Sequence, residues 1–392
     1  MKSTLIIIGN IILVILILFI YTMLWYYIGA KGKGILFGVN LRKKEGLKAV
    51  AYWGIFWFLA FSFILSVASR STISINNRIT GILTYLGAIS LALFCYLIII
   101  FPITDLIRFI LNKLGFSGSL REYMSIIYGR GISIFIAVII IILFGFWHAI
   151  HQTTTNYNIS INKKAGKLKQ LNVVMVSDVH MGIMIRERGI DKLVTSINKL
   201  KPDVVFFCGD MVDESTPTSL EKYYSSAFKE IISKYGVYAI TGNHEYATQN
   251  SEVAMNYMKK ADIKVLEDKA VKVDNSFYVV GRNDAAGGKV KPLNEIMKNT
   301  DKRLPIIALN HRPVALEEAE KNGVDLQLSG HTHEGQIFPF NFTTKLVFED
   351  DYGYLKKKDF NLIVTSGYGT WGPPIRIGTK GEIVNIKIDF MN

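Results

Sequence analysis

The chain has 392 residues, half of them hydrophobic, with a mean hydropathy of +0.27 and a formal net charge of +13. It is long enough for two domains and more apolar than an ordinary soluble protein of that length. Residues 1–151 hold 13 Lys or Arg against 3 Asp or Glu; the basic balance therefore belongs to the apolar part and not to a clustered soluble face, which argues against a nucleic-acid partner.

Apolar runs cover about 4–27, 49–69, 81–103 and 131–150, each near the ~20 residues that cross a hydrocarbon core as a helix. Residues 1–151 are thus expected to form a four-helix transmembrane region. The first run is longer than the ~7–15-residue core of a signal peptide and lacks a small-x-small cleavage site, so it is expected to stay as an anchor. No Asp, Glu, Lys or Arg lies inside the four runs, which favours simple anchoring over an ion pathway. Between the third and fourth runs, DLIRFILNKL has the spacing of an amphipathic helix lying along the headgroups.

Loop cations suggest an orientation. Lys31, Lys33, Arg42, Lys43, Lys44 and Lys48 follow the first run, and Arg108, Lys113, Arg121 and Arg130 follow the third. The other side carries Lys2, Arg70, Arg78, Lys163, Lys164, Lys167 and Lys169. Lys and Arg near span ends are retained in the cytoplasm, so both termini, and the soluble part with them, are expected to face outward. Cys95 lies within the third run and Cys208 in a strand-like run; they are not placed to pair, and Cys208 is expected as a small core residue. Trp147, His148 and His151 close the fourth run as interfacial residues; a metal shared by the two histidines is the alternative.

Residues 152–170 read as a polar linker, and 171–392 as one α/β domain. LNVVMVSD, DVVFFCGD, KYGVYAITGNHE, FYVVGRND, LPIIALNH and VDLQLSGHTH are strand-like and end in polar motifs. RGIDKLVTSINKLKP, SEVAMNYMKKADI and VALEEAEKNG have helical spacing, and FNLIVTSGYGT and EIVNIKI are further strands. This βαβ-rich alternation predicts a layered sheet sandwich, with the motifs gathered at the carboxyl ends of strands, where open α/β sheets place their ligand crevices.

Five of the seven histidines, His180, His244, His311, His331 and His333, fall in the motifs SDVH, GNHE, NHRP and GHTH. With Asp178, Asp210 and Asn243 they make eight oxygen or nitrogen side chains, about the number that two ions need. Asp178 and His180 alone read as an ordinary polar pair. All of these groups together at strand ends would be desolvated without partners at roughly 1–3 kcal/mol each, and cations remove that difficulty. A divalent pair ~3.5–4 Å apart can clamp the attacking and leaving oxygens of a phosphoryl displacement, so phosphoester hydrolysis is the leading expectation.

The ordered set DxH (178–180), GDxxD (209–213), GNHE (242–245), a histidine before a proline (311–313) and GHTH (330–333) resembles the calcineurin-like metallophosphoesterase superfamily, in particular its membrane-anchored bacterial branch, over about 170–390. GQIFP at 335–339 and GTWGPPIRIG at 369–378 also resemble stretches of that branch. The resemblance implies that Asp178, His180 and His333 hold one ion and that Asp210 bridges two. It gives Asn243, His311 and His331 to the second ion, with a solvent molecule between the ions as nucleophile. It makes His244 the acid for the leaving oxygen, oriented by Asp213, with a simple phosphate-contacting donor as the alternative. Protein serine/threonine phosphatases of the superfamily carry arginines where this chain has Glu214 and Thr241, which argues against a phosphoprotein substrate.

Arg282, Arg312 and Arg376 are candidates for gripping an anionic substrate. Trp371 is expected in the core, with a wall of the cleft as the alternative. Glu334 departs from the branch, which has a small residue there. Two divalent ions are expected, and Mn, Fe, Zn or Co all suit N and O donors. The membrane tether favours a lipid-linked or cell-envelope phosphomonoester, phosphodiester or pyrophosphate as substrate, with the bilayer itself as partner. The rival reading is a catalytically silent metal-binding or signalling module that regulates the transmembrane region.

Overall fold

The computed structural model describes every residue except 1, 38–45, 72–76, 116–131, 183–184, 214–215, 217, 248–250 and 392. Arg42, Lys43, Lys44, Arg121, Arg130 and Glu214 lie outside the described residues. The chain divides into two units, Met1–Phe144 and Gly145–Asn392.

The first unit is helical. Helices α1 (Lys2–Phe37), α2 (Gly46–Ser71), α3 (Asn77–Lys113) and the larger part of α4 (Ile132–Ile150) supply four segments long and apolar enough to cross a membrane. Two helices outrun the expected spans, and α3 continues through Pro102 to Lys113. The segment expected to lie along the headgroups is therefore the end of a spanning helix, because the carbonyl and amide lost at one proline do not break a long apolar helix in a bundle. Small residues let α2 and α3 approach: a Cβ on Gly87 would stand 2.6 Å from the Phe63 Cα, and Ser90 Oγ donates to the Leu59 carbonyl at 2.8 Å. Beyond the expected spans Lys31 pairs with Asp105 at 2.7 Å, and Tyr27, at the end of the first, donates to the same carboxylate.

The second unit is a sandwich of two six-stranded sheets. The first has the order β1-β12-β2-β3-β4-β5, from Thr153–Ile161, Glu382–Phe390, Gln170–Val176, Val204–Cys208, Val237–Ile240 and Lys264–Val265. The second has the order β10-β11-β9-β8-β7-β6, from Gly353–Lys357, Phe360–Val364, Leu326–Ser329, Ile306–Leu309, Phe277–Gly281 and Lys269–Val273. Strands β2, β3, β4 and β5 are mutually parallel, as are β7, β8, β9 and β11. Their carboxyl ends within each sheet thus lie along one edge.

Period-two alternation builds the layers. Val173, Met175, Phe206 and Cys208 meet Val279, Ile307, Leu326 and Leu328 between the sheets. The alternate residues Val174, Val176, Val205 and Phe207 turn outward under α5 (Glu187–Lys199) and α6 (Glu221–Lys229). On the second sheet Val280, Ile306 and Val364 pack beneath Leu316 and Ala319 of α10 (Leu316–Asn322; α7 to α9 are Asn243–Ala247, Ser251–Lys260 and Leu293–Ile296). Strands buried on both faces read as continuous apolar runs, which is how they appear in the sequence. Each such Val, Leu, Ile or Phe contributes about 1.5–3 kcal/mol by burial.

Residues 152–170, expected to be a linker, instead carry β1, paired in parallel with β12 over its whole length. TTTNYNISI looks polar because the strand is at an edge with one face in solvent; its Thr and Ile content suits a half-buried strand.

Candidate metal centre

Five loops, each leaving the carboxyl end of a buried parallel strand, carry the motif residues. β2 delivers Asp178 and His180, β3 Asp210, β4 Asn243 and His244, β8 His311, and β9 His331 and His333. The loops after β2 and β3 stay paired beyond the strands: Asp178 N–H donates to the Gly209 carbonyl at 3.0 Å and His180 N–H to the Asp210 carbonyl at 3.1 Å. Asp178, His180, Asp210, His331 and His333 all have left-handed backbone, with φ from 48° to 71°. That conformation costs an L-residue about 1–3 kcal/mol and persists only where the surroundings impose it. Gly242 is part of that imposition, since a Cβ there would collide with Asp210 Oδ1.

The structure brings the expected ligands together in overlapping groups. Asp178, His180 and His333 offer one ligand atom each within 4.8 Å of one another, and so do Asp210, His311 and His331; His180, Asp210 and His244 form a third group that links the first two. His180 Nε2 and His333 Nε2 are 3.2 Å apart, His333 Nε2 is 3.4 Å from Asp178 Oδ1, and His311 Nε2 is 3.1 Å from Asp210 Oδ2. His311 Nδ1 donates to the Cys208 carbonyl at 2.8 Å, which fixes its tautomer and turns Nε2 inward. Cys208 itself is fully buried between the sheets, as expected. His148 and His151 belong to none of these groups; His151 Nδ1 is 2.7 Å from the Trp147 carbonyl oxygen.

Burial and charge divide the imidazoles. Burial opposes a charge on His311, but the carboxylates of Asp210 and Asp178 outweigh it and hold His311 up at about 10. Burial, then the positive neighbours, push His331 down to about 4 and His333 well below the usual histidine range. Burial raises Asp178; in Asp210 the same burial is outweighed by His311, and its carboxyl lies well below the usual range. Neutral His331 and His333 and an ionised Asp210 are in the protonation states that ligation requires, whereas His311 would have to give up the proton that the carboxylates hold on it before binding a cation.

Two residues given no role or another role above hold these loops. Glu245, fully buried, accepts from the backbone N–H of Asp210 at 3.0 Å, Met211 at 2.6 Å, Val212 at 3.3 Å and Gly242 at 2.6 Å. It ties the β3 loop to the β4 loop. The GNHE motif displayed it, but three of its four partners are backbone groups after another strand and left no sequence signal. Burial and the adjacent Asp210 charge push its carboxyl up to about 7.

Arg376 sits differently from a substrate-gripping arginine. It has no exposed surface, and it donates to the carbonyls of Ser366 at 2.7 Å and Gly369 at 2.6 Å, with Nη2 3.3 Å from His333 Nδ1. Its guanidinium braces the loop after β11 behind His333. Arg282 pairs with Glu318 at 2.7 Å, and Arg312 grips Asp284 through Nε at 2.7 Å and Nη2 at 3.1 Å. A guanidinium in a bidentate pair is already committed, which is why an arginine near a motif need not face the substrate.

Gln336 joins the two motifs flagged near the end of the domain. Its amide donates to the carbonyls of Trp371 and Pro373 and accepts from Trp371 N–H at 2.9 Å. Trp371, expected in the core, is 56% exposed with its ring 6.2 Å from that of buried His244, because the 369–373 turn carries it outward. Asp213 is half-buried after β3, its N–H on Thr216 Oγ1. Thr241 is buried with Oγ1 3.0 Å from Tyr246 OH. Glu334 also has left-handed backbone, and burial followed by the charges of Asp351 and Glu382 push its carboxyl up to about 7.

The residues fit a divalent metal. Asn243 Oδ1 is buried with no hydrogen-bond partner among the described residues, and a buried amide oxygen left without a donor costs about 1–3 kcal/mol unless something else binds it. The donors are imidazole, carboxylate and amide, a set suited to borderline transition ions.

Comparison with known proteins agrees. The family model for calcineurin-like phosphoesterases matches residues 171–335. A metallophosphoesterase of Campylobacter jejuni is 36% identical over 226 residues, covering 56% of this chain and 59% of that protein. One of Aquifex aeolicus is 31% identical over 233 residues, covering 58% of this chain and 88% of that protein. A transmembrane protein with metallophosphoesterase domain of Danio rerio is 28% identical over 245 residues, covering 59% of this chain and 56% of that protein. The chain spans less than two thirds of the Campylobacter and Danio proteins. With the ordered motifs converging on one sheet edge and a relative matched over nearly its whole length, the chain belongs to the calcineurin-like metallophosphoesterase family.

Proposed function

We propose that this chain is a membrane-anchored phosphoesterase that uses two divalent ions, with the catalytic domain outside the cytoplasm and lipid-linked or cell-envelope phosphoesters as substrates. The observation that carries the reading is the sharing of one carboxylate residue: Asp210 belongs to the group with His311 and His331 and also to the group with His180 and His244. A carboxylate common to two groups is what a bridged pair requires. When bound, such ions would supply an activated solvent nucleophile and neutralise charge on the phosphoryl oxygens.

The chain's own groups account for the rest. Asp178, His180 and His333 would hold one ion and Asn243, His311 and His331 the other, with Asp210 between them. His244, whose backbone N–H donates to Asp210 Oδ1 at 2.8 Å and whose ring lies 4.8 Å from that of His180 between centroids, would donate a proton to the leaving oxygen, with Asp213 as its orienting carboxylate. Trp371 limits water at that side of the cleft. The test is a Mn-supplemented panel on the detergent-solubilised full chain with bis-p-nitrophenyl phosphate, p-nitrophenyl phosphate, cyclic nucleotides and lipid pyrophosphates. Metal-dependent turnover is expected; a preparation with no transition metal by elemental analysis and no turnover on supplementation overturns the reading in favour of a silent module.

A further inference from the structure

Five exposed large apolar side chains of the sandwich fall within ten residues: Phe338 at 46%, Phe340 at 46%, Phe342 at 57%, Leu346 at 87% and Val347 at 68%. Helix α11 (Asn341–Val347) in this segment buries none of its residues. Lone exposed leucines are ordinary, but a run of this kind on a water-soluble surface is not. The one charged residue from 337 to 348 is Lys345. Exposed aromatic and aliphatic side chains of this kind make the apolar face by which a segment enters a headgroup layer, with Lys345 free to reach the polar side.

The segment's attachments say what covers it. Gly145–Ile150, the end of the last span, is part of the second unit. There Arg376 N–H donates to the Gly145 carbonyl at 2.9 Å, and a Cβ on Gly145 would stand 2.7 Å from Ile377 Cγ1. Ile377 in turn bridges to Ile337 and accepts from Phe338 N–H at 2.8 Å. The apolar run thus starts one backbone contact away from the residues by which the chain leaves the bilayer, where Phe146 and Trp147 are also exposed. It is bounded by the candidate centre at both ends: His333 and Gln336 precede it, and the Phe348 ring ends it 6.1 Å from the ring of His331.

We propose that residues 337–348 insert into the surface of the bilayer that the four helices cross, holding the metal centre at headgroup depth so that its substrate is the phosphoester of a membrane amphiphile. The substrate half of this inference rests on the phosphoesterase reading; the insertion half does not. Full-length protein with Cys95→Ala and Leu346→Cys is labelled with an environment-sensitive fluorophore, the remaining Cys208 being fully buried, and placed in nanodiscs of phosphatidylcholine and phosphatidylglycerol. Ile232→Cys, 76% exposed in the loop that enters β4 from the opposite strand ends, is the control.

Brominated acyl chains are expected to quench the label at 346 at least about twofold and leave that at 232 unchanged. Equal quenching at both sites, or a label at 346 as open to iodide as in detergent, overturns insertion. Protection without bromine quenching, accompanied by energy transfer between copies, assigns the face to a second copy of this chain and also overturns it. In the second arm, Leu346→Asp with Val347→Asp is expected to lower turnover of a diacyl phosphoester in nanodiscs more than about tenfold while bis-p-nitrophenyl phosphate turnover holds. Equal loss on both substrates overturns the substrate half, and no turnover of either by the parent protein counts against the phosphoesterase reading without touching insertion.

Discussion

The two sheets bring different chemistry to the shared edge. The first supplies every candidate oxygen ligand, Asp178, Asp210 and Asn243, with His180 and His244 beside them; the second supplies candidate imidazoles alone, His311, His331 and His333. Their supports differ as well. On the first sheet the loops are tied by one buried carboxylate, Glu245, that gathers backbone N–H groups; on the second they are braced by one buried guanidinium, Arg376, that gathers backbone carbonyls. Neither sheet could make the centre alone, so its geometry depends on how the sheets dock through the apolar layer between them.

That division can be broken on the first sheet most sharply. Asp210→Asn removes the carboxylate common to both ligand groups and should lower turnover at least about a thousandfold, equivalent to ~4 kcal/mol of transition-state stabilisation, with metal content reduced in elemental analysis. Next is Glu245→Ala. It leaves four buried N–H groups without their acceptor at about 1–3 kcal/mol each, so Tm by circular dichroism of the detergent-solubilised protein should fall by roughly 10 °C; an unchanged Tm would mean that the loops hold themselves.

Arg376→Lys probes the second sheet. If the guanidinium positions the loop behind His333, metal affinity by competition titration should weaken about 10–100-fold. A rise in KM alone, with metal content and kcat intact, would return Arg376 to substrate binding. His244→Ala sharpens the chemical contrast between the sheets: metal content should be retained and alkyl phosphoesters slowed about tenfold more than p-nitrophenyl esters, and equal slowing of the two classes removes the acid role. Glu334→Gly should have the smallest effect, with turnover kept within about tenfold and Tm unchanged or slightly raised, because glycine relieves a left-handed φ of 52°.

The candidate ligand set was legible because each motif is local. A buried strand announces itself as an apolar run, the glycine after it marks the turn, and the next polar side chain must emerge at the strand end. The four spans were legible for a similar reason, since hydrocarbon thickness fixes their length and composition. β1 was not legible as a strand because an edge strand shows solvent half of its side chains, and the protein partners of the three arginines were not legible because nothing in a loop sequence records which carbonyls or carboxylates will surround a guanidinium.

By itself, then, the sequence determined the spans, the α/β alternation and the identity of the candidate ligands, all of which follow from residues within a few positions of one another. Tertiary structure alone decided that Asp178 and His333 meet across 155 positions, that five of these residues take left-handed backbone, that Glu245 and Arg376 become opposite-charged braces, and that the run from Phe338 to Val347 stays uncovered beside the end of the last span. Those outcomes depend on the packing of strands distant in the chain, and the side chains and backbone groups that enforce them lie in different loops brought together only by the fold.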